Sequence, residues 1–253
     1  MTQTPNLLDL LGARTGIICA VGAGGKKSIL RHLAMAHPGR VALTASITTT
    51  YYQERLGFGV AIAEEIQLPQ RVAALHEHRK IAYACPIDKA ERRGGVRGAT
   101  IERIHATCGF SATYVKADGA RMRWIKAPAD DEPVIPSACT TVIPVLSAAA
   151  IGQRLTARVA HRIDRVQGVT GLEQGEPIAA EHLGLLLASQ SGLMKDVGSR
   201  KVVPLINMVD DAEREKLARE VAERALSLSK QFDYVVLSCL ARRQAPLVAV
   251  VSR

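Results

Sequence analysis

Apolar and polar positions along the chain follow two periods. Residues 16–21 (GIICAV) form an unbroken apolar run that ends in glycines, the pattern of a strand buried on both faces. Positions 27–37 take up a helical period, with Ile29, Leu30, Leu33 and Met35 apolar, and Pro38-Gly39 stops it. A second apolar run at 41–44 completes a strand–turn–helix–strand unit long enough for a βαβ crossover. The same reading gives a short amphipathic helix at 6–11, helices at 72–78 and 99–107, and strands at 81–85 and 112–117. Pro128, Pro133 and Pro136 mark 123–136 as an irregular loop. Strands at 141–146, 202–207, 234–238 and 247–251 follow. The helix expected at 212–228 is opened by Asp210 and Asp211, whose charge suits a helix N-terminus.

Strands alternating with helices predict an α/β fold, a mostly parallel sheet flanked by helices. We read residues 1–150 as a P-loop-like nucleotide-binding core. Residues 151–200 are short helices with glycine punctuation, a small helical insertion or subdomain. Residues 201–253 complete the core. Apolar residues make up 47% of the chain but aromatics only 4%, so aliphatic side chains must fill the interior, as parallel sheets require.

Charge narrows the partners. With 33 basic against 24 acidic residues the formal charge is +9, which favours an anionic partner such as a nucleotide or phosphorylated small molecule. No basic helix interleaved with aromatics and no RNA- or DNA-binding signature is present, so nucleic acid is not expected. The basic stretch 92–98 reads as a solvated turn. Cys19, Cys85, Cys108, Cys139 and Cys239 are scattered and form no C-x-x-C pair, so neither a zinc site nor a disulfide framework is indicated, which suits the cytoplasm. The first 16 residues lack a basic-then-apolar leader, and the apolar run at 140–151 is too short to span a bilayer, so no membrane partner is expected.

The candidate chemistry centres on Val21-Gly22-Ala23-Gly24-Gly25-Lys26-Lys27-Ser28. Glycines let a backbone turn bring its amides against phosphate oxygens, and the following helix adds positive potential. Lys26 stands where a P-loop lysine reaches the phosphates. The strict pattern fails at two places: its first glycine falls on Ala20, and Lys27 replaces the Mg²⁺-binding hydroxyl, with Ser28 one position late. A dinucleotide loop fits less well. Its third glycine falls on Lys27, and the second strand ends at Thr44-Ala45-Ser46 instead of at an acid, which ranks an NAD(P)-dependent oxidoreductase last.

Several residues are expected around that turn. Asp118, at a strand end before Gly119, is placed to organise Mg²⁺ with Ser28, although Lys116 nearby works against a cation. Lys26 and Asp118 are the candidate catalytic pair. Thr44, Ser46 and Thr48–Thr50 offer hydroxyls, either for phosphate or as a solvated edge. Asn207-Met208-Val209-Asp210 matches part of a guanine-reading Asn-Lys-x-Asp pattern; the competing reading makes Asp210 a helix cap. Lys126, His161 and Arg162 are further anion contacts.

These residues carry a resemblance. VGAGGK at 21–26, ADGA at 117–120, KAP at 126–128, EPVIP at 132–136, AHR at 160–162, VTGL at 169–172 and PLIN at 204–207 occur in the order of the selenium-dependent hydroxylase accessory proteins usually called YqeC, which the chain resembles over nearly its whole length. The resemblance implies a P-loop-like fold binding ATP or GTP with Mg²⁺, and a partner in the maturation of molybdenum hydroxylases that carry labile selenium. Family members typically have Thr at the position of Lys27 and Glu at that of Lys116. Two readings follow. One is an NTP-hydrolysing maturation factor; the other is a non-hydrolysing binder or carrier of a phosphorylated cofactor, with Lys27 standing in for the cation.

Overall fold

The structure, a computed structural model, describes residues 6–50, 57–89, 92–242 and 244–253. In chain order the first half holds α1 (Leu7–Leu10), β1 (Gly16–Gly22), α2 (Lys26–Ala36), β2 (Val41–Ala45), β3 (Thr49–Thr50), β4 (Gly59–Ile62), α3 (Leu68–Ala73), β5 (Lys80–Ala84), β6 (Arg92–Arg93), α4 (Gly98–Thr107), β7 (Ala112–Lys116) and β8 (Ile125–Lys126). The second half holds β9 (Cys139–Ser147), β10 (Ala160–His161), α5 (Ile163–Thr170), α6 (Ala180–Ala188), β11 (Lys201–Val202), β12 (Leu205–Asn207), α7 (Ala212–Leu228), β13 (Tyr234–Ser238) and β14 (Leu247–Ser252).

The main sheet runs β14-β13-β12-β9-β1-β7-β2-β5-β4, with β11 also paired to β9. Its pairings are parallel except β13 with β14. The expected α/β class and largely parallel sheet are therefore what the chain adopts. β1 lies at the centre. Ile17, Cys19 and Val21 enter the apolar cluster on one face, and Ile18 and Ala20 enter the cluster on the other. That double burial is why the sequence there is continuously apolar. From β1 the chain crosses to β2 and returns through β7, then passes to the opposite side as β9. The connections diverge at the C-terminal end of β1, where open parallel sheets form their crevice.

α2 shows how packing substitutes for capping. Its N-cap, Gly25, makes no side-chain bond, which forgoes roughly a few tenths of a kcal/mol against a Ser or Asp cap. Ile29, Leu30 and Leu33 are almost wholly buried, each worth about 1.5–3 kcal/mol. Burial wins, so the helix forms without closing off its first amides.

Four segments differ from the sequence reading. The helix expected at 72–78 begins earlier, at Leu68, with Pro69 in its first turn where a missing N–H costs nothing. The strand at 202–207 is split into β11 and β12 around Pro204, which has no N–H to donate. β4 adds an edge strand too short to show a period. The loop at 123–136 contains β8, which pairs with β10 and draws Lys126 beside His161. In addition, Asp211 and not Asp210 caps α7, accepting from the amide of Arg214 at 2.8 Å. Among the described residues no helix is long and apolar enough to cross a membrane.

Leu33→Ala removes a buried side chain that fastens α2 to the sheet. We expect a loss of about 2–5 kcal/mol in urea unfolding. A loss below 1 kcal/mol, on the order of a surface change, would show that α2 is not held by its apolar face.

Candidate functional site

The turn between β1 and α2 is fastened on one side and open on the other. Ala23 N donates to Val145 O at 2.8 Å, Gly24 N to Arg123 O at 3.2 Å, and Asn207 Nδ2 to Gly24 O at 2.9 Å. Gly24 has φ +78°, and a Cβ there would lie 2.6 Å from Ser147 Cβ and 2.8 Å from Trp124 O, so only glycine fits. By contrast, the amides of Gly25, Lys26, Lys27 and Ser28 meet no acceptor among the described residues. They are the unsatisfied donors of a helix start, carrying its positive potential.

A buried chain of charges holds this turn. Asp118 follows β7 and is 1% exposed. Its Oδ1 is 2.8 Å from Lys26 Nζ; its Oδ2 accepts from Gly22 N at 2.8 Å and lies 3.1 Å from Lys126 Nζ. Lys26 also donates to Gly22 O. Lys126, equally buried, donates to Gly119 O at 2.7 Å and pairs with Glu132, which Arg162 Nη1 meets at 2.7 Å. The sequence Lys26–Asp118–Lys126–Glu132–Arg162 thus alternates in sign. Burial pushes the Lys26 ammonium down, and Asp118 opposes that. Burial raises the Glu132 carboxyl, but the bond and charge of Lys126, the Gly119 amide and Arg162 outweigh it and hold it at about 2.

Beside the turn opens a cavity of about 540 Å³. The residues that carry the free amides, Gly25–Ser28, line it together with Thr48–Thr50, Met208 and the 119–124 loop. Among the described residues its basic side chains are Lys26, Lys27, Arg92, Lys116, Arg121, Arg123 and Arg162, and its carboxylate is Glu132. Lys27 Nζ donates to Thr50 Oγ1 at 2.6 Å. Burial, with help from Lys26, Lys27 and Lys126 and against Asp118, pulls the Lys116 amine down to about 7. His161 is held near 4 by burial and by the charges of Arg162, Lys126 and Arg121, so its imidazole stands neutral at pH 7.

Of the residues nominated from sequence, Gly24, Gly25, Lys26, Lys27 and Ser28 line the cavity, and Gly22, Ala23 and Asp118 lie behind its wall. Asn207 is buried: its Nδ2 holds Gly24 O, while its Oδ1 accepts from Ser238 Oγ at 3.3 Å and Leu240 N at 3.2 Å. Asp210 is exposed and turned toward Arg214 at 3.0 Å and Cys239 at 3.1 Å. Asn207 and Asp210 therefore do not face a common space. Thr48–Thr50 reach the cavity; Thr44 and Ser46 bond instead to Tyr83 O and Val134 O. A divalent cation does not fit Asp118 as it stands: Oδ2 is held by Gly22 N and Lys126, and Oδ1, without a hydrogen bond, faces the Lys26 ammonium at 2.8 Å, which would repel a cation. Among the described residues no group of His, Cys, Asp or Glu forms a metal cluster. Sequence reasoning passed over Arg121, Arg123, Trp124 and Glu132. The clue was three basic residues within 121–126 directly after Asp118-Gly119.

A model of the YqeC protein family matches residues 18–164. The chain belongs to that family. The uncharacterized protein YqeC of Escherichia coli (strain K12) is 31% identical over 201 residues, which cover 76% of this chain and 77% of that protein. The matched region contains the glycine turn, Asp118, Lys126, Glu132 and Arg162; Asn207 lies outside it.

Asp118→Asn leaves Lys26 buried without its counter-charge and takes one of two carboxylates from Lys126, and is expected to destabilise the protein by about 3–5 kcal/mol in urea unfolding. Glu132 makes a pH prediction. Its carboxyl is lower when folded, so its stabilisation is present above the unfolded value of 4.5 and is lost as pH falls toward about 2. Glu132→Gln should flatten that acid limb in thermal melts. An unchanged slope would mean that the network does not hold its charge.

Proposed function

We propose that this cavity binds the phosphates of a nucleotide, ATP or GTP, or of another phosphorylated small molecule, and that the protein acts as a binding accessory factor. The observation that carries this reading is the coincidence, among the described residues, of four acceptor-free amides at the start of α2 with seven basic side chains against one carboxylate. Free amides at a helix start are a ready anion site, and basic walls raise the local concentration of anions. The crevice position at the central strand supports the same reading.

Binding is favoured over cleavage. Hydrolysis would draw on Lys26 and Asp118, yet these are spent on each other in a buried pair. A P-loop comparison supplies the phosphate-cradling role of the turn, and the family resemblance supplies the context, maturation of a molybdenum hydroxylase in the cytoplasm. Met208, Trp124 and the open volume provide room for the rest of the ligand.

Calorimetry with ATP, GTP, CTP and pyrophosphate tests the proposal. Saturable binding is expected, weakened about tenfold or more by Lys27→Met, the worth of one charged contact. Absence of binding by every phosphate compound would remove the proposal.

A further inference from the structure

The buried pairs described above leave a remainder. Asp118 and Glu132 are fully engaged with Lys26, Lys126 and Arg162. Five other basic side chains line the cavity: Lys27, Lys116, Arg92, Arg121 and Arg123. None of the five meets a carboxylate among the described residues. Lys116 is the innermost of these in the fold. It sits at the end of β7, opposite Ala20 of β1 and Ala45 of β2, and its amine has no hydrogen-bond partner among the described residues. Lys27 has a hydroxyl, Thr50 Oγ1, and no opposite charge. Arg123 Nη1 reaches only the backbone carbonyl of Arg121.

A cavity that holds a metal-bound phosphate ordinarily supplies oxygen ligands for the metal. Here the arrangement is reversed. The cavity wall has basic groups in excess, and Glu132, its carboxylate, is closed by Lys126 and Arg162. A bound divalent cation cancels about half of the charge of a triphosphate, which is the charge these side chains would meet. With no open carboxylate among the described residues, the site gains nothing from the cation and loses attraction for the anion.

We infer that the site takes its phosphate ligand as the free polyanion, with Lys116 and Lys27 in the place of a divalent cation. The inference rests on the reading of the cavity as a phosphate site and narrows its ligand to polyanions of two or more phosphates without metal. The arginines Arg121 and Arg123, on the loop at the cavity edge, extend the same field outward. Monophosphates offer too little charge to engage both the helix amides and the five basic side chains.

Calorimetry on the full chain with pyrophosphate, tripolyphosphate and ATP, each in EDTA and in excess Mg²⁺, tests this directly. The expected result is a dissociation constant in EDTA no higher than in Mg²⁺, with Mg²⁺ raising it several-fold. Lys116→Met should weaken tripolyphosphate by about tenfold or more, and Lys116→Arg should retain or tighten binding, because a guanidinium is always charged whereas the Lys116 amine takes up its full charge as the anion binds. Thermal melts of both variants report whether the fold is intact; if Lys116→Met melts early, Lys27→Met read the same way replaces it. Binding that requires Mg²⁺, or that is tightened by it, overturns the inference and leaves the phosphate site standing. Equal affinity of the folded Lys116→Met protein and wild type also overturns it. No binding under either condition removes the phosphate reading and the inference together.

Discussion

The structure turns on one carboxylate. Asp118 sits at the C-terminal edge of the central strands, almost without solvent, and receives two ammonium groups and a backbone amide. A buried charge survives only when it is paired and hydrogen-bonded, and Asp118 is both. Its contact with Gly22 N fixes where β1 ends. Its contact with Lys26 fixes where α2 begins. The glycine turn is stretched between those two points, and Asn207 and the carbonyls of Val145 and Arg123 complete its support.

That rigidity has a functional consequence. Asn6 caps α1 and Asp211 caps α7, whereas α3, α4 and α5, like α2, start without a side-chain cap. α2 has no such cap and leaves four amides open, because its buried face holds it in place. The same network orders the cavity wall. Lys126 links Asp118 to Glu132, and Glu132 orients Arg162, so the turn and the opposite side of the cavity form one electrostatic unit. Basic side chains beyond that unit meet no carboxylate among the described residues, and the proposed polyanion would supply the missing charge.

Much of the fold was legible in the sequence. The apolar run at 16–21 and the helical period at 27–37 were strong because both faces of β1 and one face of α2 are buried. The strand at 234–238 was equally clear. β4 and β8 were not, since a strand of a few residues at an edge or in a loop leaves no period to read. The glycine turn was legible for a chemical reason: Gly24 cannot carry a side chain where it stands. The role of Asp118 was half legible. Its position beside the turn followed from the strand it ends, but its partners depend on Lys126, which an irregular loop brings back from eight residues away. The arginines at 121 and 123 look like solvated loop residues until the fold aims that loop at the turn. Asn207 shows the opposite error. Its sequence context suggests a base-reading residue, whereas the fold places it inward as a clamp on the Gly24 carbonyl.

The central claim is that the open end of the turn, and not some other basic surface, receives the anion. Backbone amide NMR during a pyrophosphate titration reports this residue by residue. The account predicts saturable shifts concentrated at the amides of Gly25, Lys26, Lys27 and Ser28, with smaller changes at Lys116 and the 119–124 loop. Shifts spread over exposed lysines and arginines elsewhere, with those four amides unmoved, would contradict it.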